Sequence, residues 1–327
     1  MTKEEIKEAK LASEMKKKLK GIKVINAYNI HLSKEIKEPK LVNPFLQKVG
    51  LASIVGSSDT GKSSFLRQLA LSIVLGKNEF LGYKLSPQHN KVIYVSTEDD
   101  LNSTKVANKM QLSKLVKDKK KLDELKQLDF IFDIENLIET LETILTQKKV
   151  DLIVIDAFAD VFKKEINSST QVRSFLMPYH SLAIKNRCLV IFLHHNSKRS
   201  EYTSPSKNNI VGTQGFEAKM RSILEIRKAP DGKRHMVLLK CNFLPSKYKN
   251  IKYVLEFDEK TLLFKNTEQK LDLNSNSKSS DPETIKKVLE LHENGLSLRN
   301  IEKKLKGSQH QIGKTAVGNI INKNKPK

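Results

Sequence analysis

The sequence predicts an α/β fold, a mostly parallel twisted sheet with helical crossovers, extended by antiparallel strands and followed by a small all-α unit. Three observations carry this. Between residues 50 and 265 four short, near-continuously apolar runs, GLASIVG, KVIYVS, VDLIVIDAF and CLVIFLHH, alternate with helix-length segments. Strands buried on both faces read this way, whereas half-exposed strands alternate. Three further β-rich runs, RSILEIRK, RHMVLLKC and IKYVLEF, follow with turn signals between them and no helix-length insert, which predicts hairpins at one side of the sheet. Beyond residue 281 the apolar spacing becomes helical.

Taken in order, residues 1–39 are a basic, helix-like lead-in. Its first twenty residues carry seven lysines against four glutamates, the composition of a solvated face. They lack the apolar stretch of a signal peptide, and no run of about 18 apolar residues occurs. The expectation is a cytoplasmic protein with no membrane partner. Cys188 and Cys241 sit in apolar runs without CxxC spacing, which predicts two small buried residues and neither a disulfide framework nor a zinc site.

Residues 40–265 are expected to form the α/β domain. Its first core strand ends in GSSDTGKSS, Gly56 to Ser64, and an apolar helix follows. A GxxxxGK[ST] loop between strand and helix is a phosphate cradle: the glycines let successive amides point inward, and the helix N-terminus adds partial positive charge. Gly56, Ser57, Ser58, Asp59, Thr60, Gly61, Lys62, Ser63 and Ser64 are the candidate ATP-binding residues. Lys62 is expected at the β- and γ-phosphates and Ser63 on Mg²⁺.

VDLIVIDAF delivers Asp156 to the carboxyl edge of the sheet, where a carboxylate can hold a water on Mg²⁺. KVIYVSTEDD ends another strand in Glu98, Asp99 and Asp100, and hydrolysis needs a carboxylate to orient or deprotonate the attacking water. Glu98 is the candidate base; the alternative is that these acids only cap the helix that follows.

Together GSSDTGKSS, YVSTEDD, LIVIDAF and FLHHNSK resemble the RecA-like P-loop ATPases of the RepA-type hexameric helicase family of plasmids and mobile elements, over roughly residues 40–260. The resemblance implies Glu98 as catalytic glutamate and Asp156 as the metal-linked aspartate. It makes His194 and His195 candidates for sensing the γ-phosphate, His195 foremost; a satisfied core histidine is the alternative for His194. The basic stretch SKRSEYTSPSKNN then corresponds to a loop facing a ring's channel, with Lys198, Arg199 and Lys207 following single-stranded DNA and Tyr202 the only stacking surface in it. VGTQGFEAKMRSILEIRK and HMVLLKCNFLP match the next two blocks, which makes Arg221 and Lys240 candidates for acting in trans on a neighbour's γ-phosphate. Asn242 stands where related helicases carry arginine.

Residues 266–281, NTEQKLDLNSNSKSSD, are poor in residues able to bury surface and predict a flexible linker. Residues 282–327 read as three short helices and resemble resolvase- or transposase-type helix-turn-helix domains, though KGSQHQI is long for the turn. Lys314, Thr315 and Asn319 are the candidate contacts to duplex DNA. The net charge of +22 suits a polyanionic partner. Two readings follow. One is a homo-oligomeric helicase or translocase, a hexamer by the resemblance, hydrolysing ATP at subunit interfaces. The other is an ATP-controlled DNA-binding switch of a mobile element.

Overall fold

The computed structural model describes residues 25–32, 38–116, 118–197, 203–212, 214–273, 282–308 and 310–324. They divide into two units, residues 1–38 and residues 39–327. The first contributes one short helix, α1 (Ala27–His31), whose N-cap Asn26 accepts a hydrogen bond from the Asn29 amide. The rest of the expected basic N-terminal helix lies outside the described residues.

The second unit opens with a hairpin, β1 (Lys40–Val42) and β2 (Leu46–Gln47), and enters β3 (Gly50–Gly56), every residue of which is buried. There follow α2 (Lys62–Val74), a small hairpin of β4 (Glu79–Phe80) and β5 (Tyr83–Lys84), β6 (Val92–Ser96), α3 (Leu101–Leu115), β7 (Leu128–Ile131), α4 (Leu137–Gln147) and β8 (Leu152–Asp156). After these come α5 (Phe158–Val161), α6 (Ser169–Asn186), β9 (Leu189–His195), α7 (Gln214–Lys219), β10 (Ser222–Lys228), β11 (Arg234–Cys241), β12 (Ile251–Asp258) and β13 (Leu263–Asp272). Three helices complete the described chain: α8 (Pro282–Glu293), α9 (Leu298–Leu305) and α10 (Lys314–Lys323).

The main sheet has the order β13-β12-β11-β10-β3-β9-β8-β6-β7. From β10 to β7 neighbouring strands are parallel, and β11, β12 and β13 extend the sheet antiparallel. The apolar runs are continuous because both faces are covered: Ala52 and Ile54 face the core that contains the apolar side of α2, and Leu51 and Val55 face the core built with α4 and α6. Parallel strands put their carboxyl ends on one edge, so Gly56, Ser96, Asp156 and His195 arrive together there. That edge is where open α/β sheets bind ligands.

Three expectations need correction. RSILEIRK, expected as the start of the hairpin series, pairs parallel with β3, with Glu225 beside Val55; the connection from β9 carries α7, which turns it into a crossover. LDFI forms a strand that the apolar pattern does not signal, because β7 is four residues long and only half-buried at the sheet edge. Asn266 to Asp272, expected as linker, continue β13, which pairs with β12 from Leu263 to Asp272. An outermost strand needs few apolar residues, so its composition imitates a linker. The remainder of that linker, 274–281, lies outside the described residues.

The three C-terminal helices have a core of their own, in which Val288, Ile301, Leu305, Val317 and Ile320 are buried. Ser297 caps α9 by accepting from the Asn300 amide. The long connection before α10 is packed: His310 is buried with its Nδ1 2.9 Å from the Thr284 hydroxyl, and Ile312 joins the core. Cys188 and Cys241 are buried free thiols. Among the described residues no helix is long and apolar enough to cross a membrane.

Candidate nucleotide site at the carboxyl edge of the sheet

The loop from β3 to α2 owes its path to two glycines. Gly56 has φ +157°, and a Cβ there would lie 2.3 Å from the Ile226 carbonyl oxygen of the neighbouring strand. Gly61, at φ +90°, caps α2 with no side-chain hydrogen bond. The first amides of α2 therefore have no side-chain acceptor at the cap, the arrangement that binds phosphate oxygens. Gly56→Ala is expected to lower the unfolding free energy by about 3 kcal/mol, since backbone rather than a pliable side chain must yield; urea denaturation of both proteins measures it.

Inside the loop the Thr60 hydroxyl donates to the Ser57 carbonyl at 3.0 Å, and the Lys62 ammonium donates to the same oxygen at 2.6 Å. Burial lowers the Lys62 pKa, and Asp156, Glu98 and Asp59 oppose this in that order. The cation is thus held back among carboxylates, next to where phosphates would lie. The meander supports the loop from behind. Arg234 Nε donates to the Thr60 carbonyl at 3.2 Å while its guanidinium covers the Phe257 ring. Gln68 of α2 exchanges two hydrogen bonds with the Phe264 backbone, at 3.0 and 2.7 Å. Gln111 of α3 donates both to the Ser64 carbonyl of α2 and to the Leu262 carbonyl of the β12–β13 turn.

In front of the loop lies a cleft of about 540 Å³ lined by Lys62, Ser63, Arg67, Glu98, Asp99 and His195, among others. The three acids after β6 have separate duties. Asp100 is the N-cap of α3, accepting from the Ser103 amide at 2.7 Å. Asp99 pairs with buried Arg67 at 2.9 Å. Glu98 is half-exposed in the cleft, with Oε1 3.5 Å from His195 Nε2. Capping therefore accounts for Asp100, and Glu98 is the acid facing the open volume.

Asp156 is almost wholly buried at the end of β8. Its Oδ2 accepts from the Tyr94 hydroxyl at 2.6 Å, and its Oδ1, also buried, has no hydrogen-bond partner. Burial raises its pKa, opposed by the hydroxyls of Tyr94 and Ser63. A buried, unsatisfied carboxylate oxygen beside a serine hydroxyl fits Mg²⁺, which takes one or two protein oxygens, keeps waters and completes its shell with substrate phosphates. Ser63 and Asp156 are the residues that would hold it.

Comparison with known proteins decides the family. A model of the AAA domain matches residues 29–201, just over half of the chain, from before β1 to the end of β9 and the stretch after it. The chain belongs to the AAA domain family. It is an ATP-hydrolysing enzyme, and the loop, the buried aspartate and the cleft all lie within the matched span. No curated protein matches the chain. Among solved structures it is similar to the ATPase domain of a helicase, at 12% identity and a TM-score of 0.54, over 73% of this chain and 95% of that one. That likeness concerns the fold, a RecA-like arrangement of mostly parallel strands with an antiparallel extension.

Within this AAA domain the two histidines that end β9 differ. His194 is buried against Phe158 and Phe216, with Nε2 2.8 Å from the Val211 carbonyl, and burial holds its pKa down to about 4. Its neutral form is favoured by the fold, so stability is fully present above the unfolded value near 6.5 and declines as pH falls from there towards 4. The loss approaches about 3 kcal/mol and is complete below the folded pKa. Thermal unfolding of wild type and His194→Gln across that window is expected to show the steeper decline in wild type. His195 is the histidine that reaches the cleft.

The other candidates are spread out. Arg221 immediately precedes β10 and Lys240 is near the end of β11, where Ile223 pairs with Lys240. Both are therefore at the amino edge of the parallel strands, about 20 Å from the phosphate loop at strand rise. Lys240 Nζ donates to the Glu217 carbonyl at 2.7 Å, and Lys207 pairs with the Glu217 carboxylate at 2.8 Å. Lys198, Arg199 and Tyr202 lie outside the described residues. Lys314, Thr315 and Asn319 are all exposed on α10.

Several residues of the site go beyond those the sequence motifs single out. Tyr94, Arg67 and Glu225 each interrupt an otherwise apolar run, and that interruption is the signal available in the sequence. Glu225, fully buried on β10, accepts from Asn196 Nδ2 at 2.5 Å and from Arg227 Nε at 2.6 Å. Arg227 in turn donates to the Thr203 carbonyl. This cluster reaches across the end of β3 and fixes both ends of the described loop segments after β9.

Proposed function

We propose that this ATPase acts on DNA as a RepA-type helicase or translocase of a plasmid or mobile element, hydrolysing ATP at the interfaces of a homo-oligomer, a hexamer by the family resemblance. The supporting observation is the shared anchorage of the phosphate loop and the basic loop. The Asn196 amide donates to the Gly56 carbonyl at 3.2 Å, and the Ser197 amide donates to the Asn209 carbonyl at 2.9 Å. The segment carrying Lys198, Arg199 and Lys207 therefore starts from the very strand end that abuts the ATP site. A change at the phosphates has a path of two residues to a basic segment.

In this reading Glu98 activates the attacking water, Lys62 and the loop amides bind the phosphates, and His195 reports on the γ-phosphate through its contact with Glu98. Mg²⁺, when bound by Ser63 and Asp156, supplies neutralisation of phosphate charge. Arg221 and Lys240, remote from their own protomer's cleft, act on a neighbour's nucleotide. The three-helix unit of residues 282–327 docks on duplex DNA through Lys314, Thr315 and Asn319.

The test is ATP hydrolysis without nucleic acid, with single-stranded DNA and with duplex DNA, using Lys62→Ala as the blank. Several-fold stimulation by single strands is the expected result; turnover indifferent to DNA sinks the motor. A second reading, a DNA-binding switch controlled by ATP, draws on the separate core of the three-helix unit and its exposed polar face. It requires tight duplex binding that responds to nucleotide and survives Glu98→Gln.

A further inference from the structure

We propose that Tyr94 is a positioning residue for the metal side of the ATP site, selecting Oδ1 of Asp156 as the oxygen offered to the hydrated Mg²⁺. This rests on the reading of Ser63 and Asp156 as that side of the site.

Tyr94 lies in the middle of β6, paired with Val154 of β8, and is wholly buried. The packing there is apolar, and a phenylalanine would satisfy it; a buried tyrosine hydroxyl instead demands a partner. The partner is Asp156 Oδ2 at 2.6 Å, the length of a bond to an ionised acceptor. A carboxylate turns easily about its last torsion and offers two equivalent oxygens. One short hydroxyl bond removes that equivalence, and Oδ1 is left buried and unpartnered. The hydroxyl is also 3.4 Å from the Ser63 carbonyl, so the ring end lies against the other metal-side residue.

Tyr94 is itself held. The Arg67 guanidinium stands 5.9 Å from its ring centroid, is almost fully buried, and pairs with Asp99, the neighbour of Glu98. A continuous chain of side chains, Asp156–Tyr94–Arg67–Asp99, thus joins the two strand ends that carry the metal-linked carboxylate and the candidate base. Partners in this outer position orient a ligand without touching the metal.

The experiment is titration of wild type and Tyr94→Phe with mant-ATP, in EDTA and across a range of Mg²⁺. Equal metal-free affinities are expected, which also reports that the variant is folded. Wild type gains affinity with Mg²⁺; in Tyr94→Phe the half-saturating Mg²⁺ concentration rises about ten-fold, the usual scale for loss of an outer-shell partner. In an Asp156→Asn background the tyrosine substitution is expected to change nothing further. An unchanged Mg²⁺ dependence in Tyr94→Phe overturns the proposal, as does an equal loss with and without metal, which assigns Tyr94 to packing alone. Wild type showing no gain from Mg²⁺ overturns the reading of Ser63 and Asp156 instead.

Discussion

Glu98→Gln is expected to stop ATP turnover while leaving ATP bound. The substitution keeps the side chain's shape and its place opposite His195 in the cleft, but an amide cannot take a proton from the attacking water. General-base catalysis contributes roughly 10²–10⁴-fold, so hydrolysis falls by about that factor. Nucleotide affinity holds, because the loop amides and Lys62 are untouched. Single-turnover hydrolysis beside mant-ATP binding checks both halves. Loss of binding in step with loss of rate would falsify Glu98 as the base and assign it to the structure of the loop.

Lys62→Ala is expected to act on both quantities. In the absence of nucleotide the ammonium is engaged by the Ser57 carbonyl and by nearby carboxylates, so its removal costs the fold little. What is lost is a buried cation aimed at the phosphates, an electrostatic contribution of about 10²–10³-fold when one such donor is deleted. Affinity for ATP and the rate of hydrolysis both drop, with thermal unfolding of the nucleotide-free protein near wild type. A variant that melts early without nucleotide shows that Lys62 holds the loop together rather than its ligand. Both substitutions are measured against the same DNA-free baseline, so neither result depends on what nucleic acid the protein acts upon.

The parts legible in the sequence are those in which a local pattern and a tertiary demand coincide. GSSDTGKSS needs glycine wherever the backbone turns left-handed or presses on Ile226, so the loop announces itself. LIVIDAF and CLVIFLHH are apolar because both faces are covered, and each ends where a polar residue meets the cleft. The illegible parts belong to the sheet's margins. β7 and β13 are edge strands with exposed sides, and little apolar patterning is required of them. RSILEIRK looks like a hairpin partner because the crossover before it is mostly loop, with only the short α7 as helix. The acids after β6 are indistinguishable as a string; only the partners Arg67 and Ser103 separate Asp99 and Asp100 from Glu98. Glu225 escapes a reading by motif because one acid within SILEIRK gives no hint of partners 29 residues earlier in the chain.

The backing of the phosphate loop has a consequence for how the chain comes to life. Gln68 and Phe264, which lock α2 to β13, are 196 residues apart, and Gln111 meets Leu262 across 151. Contacts so distant must wait for loop closure over long stretches of chain. On the ribosome, the ATP motif emerges early yet has no rear wall until the last strand of the sheet has been synthesised. A chain released before β13 carries the phosphate loop, Glu98 and Asp156 and lacks the brace that keeps the loop in place. Nucleotide competence is therefore expected to arrive late in translation, all at once, when the edge of the sheet closes.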